Sequence, residues 1–209
     1  MTISSTQIEA HYERFIGLVK QDSRAEALLA MYVTFEQELA SAPASGKKHF
    51  HNCFPGGYID HVLRVIDCSL ELTALYKKLG GVVDYTKQEV VFAAMHHDLG
   101  KLGSTDGPYY VTQTSDWHRD KLGEMYTHNT DIGFMKVPDR ALFLLQQFSI
   151  PITEKEWYGI KLSDGLYDDS NKAYLINYTH KHPIRTALAH IIHQADSMAS
   201  HVENDAIPK

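Results

Sequence analysis

The sequence predicts an all-α fold, a single helical bundle of seven or eight helices, on three observations. Capping-box signatures recur ahead of apolar runs, and those runs repeat at three and four positions rather than at two. Only residues 109–113 and 174–179 read as short strands. A chain of 209 residues can bury one proper core, and 44% hydrophobic with 22% charged content is that of a soluble globular protein. The expectation is one domain over residues 1–209, with residues 1–45 as an N-terminal helical extension packed on it.

Each element has a local reason. Thr6-x-x-Glu9 forms a capping box, followed by Ile8, Tyr12, Phe15, Ile16 and Val19 at helical spacing. Ser23-x-x-Glu26 opens a second helix through Leu28, Leu29, Tyr32, Phe35 and Leu39, which Pro43 and Gly46 end. Residues 44–57 read as a loop, and a third helix spans residues 58–79 with Gly80-Gly81 as its stop. Thr86-x-x-Glu89 caps a fourth helix. Residues 103–115 form a loop rich in Gly, Ser, Thr and Asp, and a fifth helix is expected over residues 116–126. Pro138 sits where a helix-starting Pro belongs, Thr153-x-x-Glu156 is a further capping box, and Pro183 is expected to open the last helix, which reaches His201.

Composition removes several classes of function. A net charge of −6 provides no general basic field, so no long nucleic acid is expected as a partner. Cys53 and Cys68 form neither a CxxC pair nor a disulfide framework, which fits a reducing compartment. The N-terminal MTISSTQIEAHYERF lacks a secretory h-region and the apolar runs are too short for a bilayer, so the expectation is a cytoplasmic protein with no membrane partner. Thirteen histidines against 20 Lys plus Arg direct the search toward metal.

The fourth helix closes on His96-His97-Asp98-Leu99-Gly100-Lys101. Taken alone, this is either a capped helix end with solvated charges or a site. As a site, imidazole and carboxylate are ligands for Zn²⁺, Mn²⁺ or Fe, and for Mg²⁺ with more oxygen donors. Two ligands do not hold a divalent ion, so others must come from elsewhere. Gly100 would let the backbone turn and bring Lys101 back as a point charge for phosphate. His61 lies on the third helix, and His190, His193 and Asp196 lie on the last. A lone helical His reads more readily as a packed residue, and Asp196 reads equally as an ion-pairing residue.

In order, His61, His97-Asp98 and Asp196 resemble the His…His-Asp…Asp pattern of the HD-domain metal-dependent phosphohydrolases. His97-Asp98-Leu99-Gly100-Lys101 looks like their HD-[ILV]-G-K motif. The segment His51…Gly56-Gly57-Tyr58-Ile59-Asp60-His61-Val62 is similar to the H…GGLxxHxL segment of the branch that includes the HD domains of 3′→5′ exoribonucleases. Residues 190–198 look like that branch's closing LLHxADxxxA segment, so the resemblance covers roughly residues 49–201.

The resemblance implies that His61, His97, Asp98 and Asp196 are metal ligands, that Asp98 and Lys101 are catalytic, and that Lys101 touches phosphate. It implies one tight divalent ion (Mn, Mg, Co, Fe, Ni or Zn). Two-metal relatives carry further histidines in a Gly-His and a His-His-Gly segment; here Gly123-Glu124 and Ser163-Asp164-Gly165 stand in those places. Glu124, Asp164 and His193 are therefore candidates for a second ion or for support of the first. His118, Arg119, Lys121 and His128 are candidates for substrate contact, with a solvated helix face as the plain alternative for the first three. His96 is expected to pack behind its neighbour.

The implied activity is hydrolysis of a phosphoester or phosphoanhydride of a small nucleotide, a nucleoside monophosphate or a deoxynucleoside triphosphate, by metal-activated water. The alternatives are a phosphodiesterase or exonuclease on short oligonucleotides or cyclic nucleotides, and a non-catalytic nucleotide-binding protein. A di-iron oxygenase would need more mid-chain histidines than this sequence has. A homo-oligomer is compatible with all of these.

Overall fold

The computed structural model describes residues 3–176 and 183–207. The fold is all-α, with ten α-helices among the described residues and one two-stranded antiparallel sheet. Helices α1 (Ser5–Val19), α2 (Ala25–Thr34) and α3 (Glu36–Ser41) precede the long α4 (Gly57–Lys78) and α5 (Lys87–His96). A 3₁₀ turn (Leu99–Leu102) leads to β1 (Tyr110–Thr112), α6 (Asp116–Leu122) and β2 (Tyr126–His128). Then come α7 (Val137–Gln147), α8 (Glu154–Lys161), the short α9 (Lys172–Leu175) and α10 (Leu188–Asp205).

The core gathers around α4, which packs against α1, α3, α5 and α10, while α8 packs on α5 and α10. Phe15, Leu28, Met31, Tyr32 and Leu39 of the first three helices join Tyr58, Val62, Ile66, Phe92 and Ile192 in one buried cluster. The N-terminal segment is thus continuous with the core that supports the rest.

Several boundaries depart from the sequence expectation, each for a physical reason. The first helix is capped by Ser4 with Gln7, not by Thr6 with Glu9: Ser4 Oγ accepts from the Gln7 N–H at 3.2 Å. The expected second helix is broken at Phe35, whose backbone (φ −110°, ψ 23°) separates α2 from α3. Ser23 does not cap it; its hydroxyl accepts from Gln88 instead. The capping boxes at Thr86 and Thr153 form as expected. The fifth predicted helix stops at Leu122, because Gly123 takes a left-handed conformation at φ 62°.

Residues 110–112 pair antiparallel with 126–128, a partner the sequence reading lacks. Tyr174 lies in α9 rather than in a strand, and the remainder of that expected strand reaches beyond the described residues. Pro183 does not open the last helix. α10 begins at Leu188, where Asp84 Oδ1 accepts from the Ala187 N–H at 3.1 Å and the Thr186 hydroxyl at 3.2 Å. No described helix is long and apolar enough to cross a membrane.

Candidate metal centre

Three helices bring the four predicted ligands to one point. His61 stands in the second turn of α4 and Asp196 in the middle of α10. His97 keeps helical dihedrals at the end of α5, while Asp98 (φ −108°, ψ 9°) leaves the helix, so two adjacent side chains converge instead of diverging. The 3₁₀ turn then returns Lys101 to Asp98, with Nζ 2.6 Å from Oδ2. Gly100 serves this turn differently from the expectation: a Cβ there would stand 2.2 Å from the Val137 carbonyl oxygen. Its role is to let the start of α7 approach.

His61 Nε2 lies 3.1 Å from Asp196 Oδ1 and 3.6 Å from Asp98 Oδ2. His97 Nε2 lies 3.5 Å from Asp98 Oδ2 and 3.8 Å from Asp196 Oδ1. His61, His97 and Asp98 are buried, and Asp196 is the member open to solvent. Both Nε2 atoms are buried, that of His97 without a hydrogen-bond partner and that of His61 with only Asp196 Oδ1 in reach, poorly aligned at 3.1 Å. Their other nitrogens are occupied. His97 Nδ1 is 2.7 Å from the Ala94 carbonyl oxygen, and His61 Nδ1 is 3.1 and 3.2 Å from the two oxygens of Glu203.

This arrangement is chemically incomplete without a cation. An imidazole that donates its Nδ1 proton presents a lone pair at Nε2. Two lone pairs facing two carboxylates repel unless positive charge sits between them. A proton or a metal ion can supply that charge, and tying Nδ1 to a carboxylate or carbonyl is how metal-ligating histidines are oriented. Donor atoms of His61, His97 and Asp196 lie within 4.8 Å of one another, so the group could hold a metal ion. Asp98 is not in that group: its Oδ2 stands 3.6 and 3.5 Å from the two Nε2 atoms and 2.6 Å from Lys101 Nζ. Imidazole and carboxylate donors suit the first-row divalent metals.

The electrostatics carry the same signature. Burial opposes a charge on His61, yet the Asp196 and Glu203 carboxylates raise it to about 10. Asp98 is buried, but Lys101, His97 and His61 hold its carboxyl below the usual range. Asp196 is likewise held low, against its burial, by His61 and His97. Lys101 is pushed up by the Asp98 charge despite burial. The site therefore draws positive charge inward.

His96 points away from it. Its ring stacks on Tyr32 at 6.0 Å and lies 4.1 Å from Phe92, and burial lowers it to about 3, so it packs behind its neighbour as a neutral core residue.

A cleft of about 670 Å³ opens over Asp196 and Lys101. Of the other predicted residues, His128, Glu124, Asp164 and His193 line it. Glu124 accepts from Gln113 Nε2 at 2.8 Å, and His193 Nδ1 is 2.8 Å from the Ser163 carbonyl oxygen. Burial, reinforced by the Asp98 carboxylate, raises Asp164. Gly165 is required beside His193, since a Cβ at its φ of 53° would stand 2.2 Å from that ring. None of these donors belongs to the His61–His97–Asp196 group.

His118, Arg119 and Lys121 do not line the cleft. His118 is hydrogen-bonded to Ser115 Oγ at 2.8 Å, and Arg119 is held by the Gln113 carbonyl and the Asp116 carboxylate. His118 and Arg119 thus cap and cross-link α6.

Glu203 and His51 were not assigned by sequence reasoning. Glu203 is 4% exposed and also accepts from Arg64 Nε at 3.1 Å. Its signal is position: it stands seven residues, two helical turns, beyond Asp196 on α10. His51 lies with its ring 4.7 Å from that of His61, and His51, His61 and Glu203 form a second group of donors within 4.8 Å. Burial and the charges of His61 and Lys101 lower His51 to about 3. Comparison of the chain with models of protein families, with curated proteins and with solved structures finds no match.

Proposed function

We propose that this chain is a metal-dependent phosphohydrolase of the HD-domain type, acting on a small nucleotide. The observation that carries the reading is the pair of buried Nε2 atoms of His61 and His97, aimed at Asp98 and Asp196 with each Nδ1 already engaged. The order of the sequence motifs supports the family. When bound, a divalent ion in this donor set supplies Lewis-acid polarisation of a phosphoryl oxygen and an acidified water.

The protein's own residues do the rest. Lys101 stands 2.6 Å from Asp98 and also lines the cleft, so its ammonium can meet a phosphoryl oxygen as negative charge builds there. Asp98 fixes that ammonium and contributes to the donor set. Glu203 holds the His61 ring through Nδ1, and the Ala94 carbonyl holds His97. Water enters through the cleft, on the exposed side of Asp196.

Metal-stripped protein, supplied with Mn²⁺, Mg²⁺, Co²⁺, Fe²⁺, Ni²⁺ or Zn²⁺ and a panel of nucleotides and short oligonucleotides, tests this. Phosphate or pyrophosphate release with one or two metals is expected. Lys101→Ala should keep metal and lose about a hundredfold in kcat/KM. Silence across the panel with metal bound contradicts the reading.

A further inference from the structure

A second cavity reaches Lys101. It encloses about 390 Å³, against about 670 Å³ for the cleft, and the two share Lys101, Tyr110 and Tyr126. Beyond these three residues their linings part. The cleft continues along α10 through Asp196, Ser200 and Asn204, whereas the second cavity is bounded by Glu38 and Ser41 of α3, Thr112 of β1, and Pro43, Pro55 and Pro108. Lys101 is therefore met by two routes.

The sheet supplies the partition between them. Tyr110 pairs with His128 and Thr112 with Tyr126, so all four side chains project from one face. The Tyr110 and Tyr126 rings stand 6.4 Å apart at their centroids. Their sheet is tied to the body of the protein, because the N–H groups of Met125 and Tyr126 donate to the Gly46 carbonyl at 2.9 and 3.0 Å. The three prolines, with φ set and no N–H to offer, stiffen the wall of the second cavity. Walls of that kind hold a passage open.

The charge of the second cavity suits transit. Among the described residues Lys101 is its cation and Glu38 its carboxylate, so an oxyanion is admitted without being trapped. Its volume lies at the small end of ligand sites and accommodates a phosphate with its water. We infer that the second cavity is the exit for inorganic phosphate, with Tyr110 and Tyr126 as the partition that separates it from the cleft. This rests on the phosphohydrolase reading above, in which phosphate is the product that Lys101 holds. Phosphate can then leave while the other product still occupies the cleft.

The test plugs the passage. Thr112→Trp sets an indole beside Tyr126, its cross-strand partner, and Ser41→Trp fills the cavity from α3 should the first variant fail to fold. Neither residue lines the cleft. The first readout is ³¹P exchange spectroscopy of inorganic phosphate on Zn²⁺-loaded protein. A plugged route slows entry and exit alike, so both rates should fall about tenfold or more while Kd stays the same. Ser200→Trp, a plug in the cleft, should leave them as in the wild type. The second readout follows nucleotide turnover, with rapid quench counting phosphate formed and a fluorescent phosphate reporter counting phosphate released. Formation should be unchanged and release slower in the Thr112→Trp protein, so that kcat falls and kcat/KM does not. Unchanged exchange rates in both cavity variants overturn the inference, as does weaker binding at an unchanged rate of entry. Slower exchange in Ser200→Trp alone assigns the exit to the cleft and overturns it too. If no nucleotide is hydrolysed, the phosphohydrolase reading falls and the exchange measurement decides the passage separately. Phosphate slowed by the plug at constant Kd keeps the second route; phosphate that does not bind removes it.

Discussion

A histidine serves a metal best when its second nitrogen is held, and Glu203 holds that nitrogen of His61, the residue of α4 proposed as a ligand. Glu203→Gln keeps the size of the side chain and removes its charge. Metal affinity, measured by competition with a chelator, should fall about 10- to 100-fold, with the far-ultraviolet circular dichroism of the metal-free protein unchanged. Equal affinity in the variant would show that Glu203 is packing alone. The four residues proposed as ligands are legible in the sequence because His97 and Asp98 are adjacent, with His61 before them and Asp196 after them in the order of the family they resemble. Glu203 is harder to see, since a late helical glutamate ordinarily reads as a solvent-facing charge. Besides its place two turns beyond Asp196, its signal is that it continues the buried stripe Ile192, Ala195, Ala199 along α10. That His118, Arg119 and Lys121 stand outside the lining of the cleft was hidden for a comparable reason. In a helix as short as α6, His118 and Arg119 are spent on its own N-terminal end.

Among the elements, α8 is tied to the start of α2 by one fork of hydrogen bonds. Arg24 meets both oxygens of Glu156 at 2.8 and 2.9 Å, meets Asp22 as well, and lies 3.6 Å over the Phe92 ring. Glu156 is 1% exposed, so Arg24→Ala leaves a buried carboxylate without its charged partner, held by the Thr153 N–H of the capping box alone. We expect a loss of about 3–5 kcal/mol, read as a fall in Tm on the order of 10 °C, with Arg24→Lys intermediate. A loss below about 1 kcal/mol would place this contact among ordinary surface pairs. Helices with a local cap were legible in sequence, as at Thr86 and Thr153. Elements fixed from a distance were not. The start of α10 is set by Asp84, about a hundred residues earlier, and β2 is fixed where the N–H groups of Met125 and Tyr126 donate to the Gly46 carbonyl. No window along the chain contains those partners.

At the scale of the whole molecule, the site joins α4, the end of α5 and α10, three helices that otherwise meet, among the described residues, through apolar packing and the contacts of Glu203 with His61 and Arg64. A cation between them would hold the bundle together at its polar end. An ion present at a hundred times its Kd should therefore add about 2.7 kcal/mol of stability, and removing it with a chelator should lower Tm by several degrees. A Tm that ignores both additions would mean that no ion discriminates folded from unfolded chain. The all-α class was legible from periodicity and caps, because helices are local objects. The cleft walls were not, because Phe50, Tyr167 and Glu124 meet only in the folded chain.

The central claim is that His61, His97, Asp98 and Asp196 hold one divalent ion. It is tested most directly by titrating Mn²⁺ and Zn²⁺ into chelator-stripped wild type and Asp98→Ala, with calorimetry and elemental analysis of the washed protein. One tightly bound ion per wild-type chain, lost in an Asp98→Ala variant whose helical content is unchanged, is the predicted result. No uptake by the wild type, or the same uptake by the variant, would contradict it.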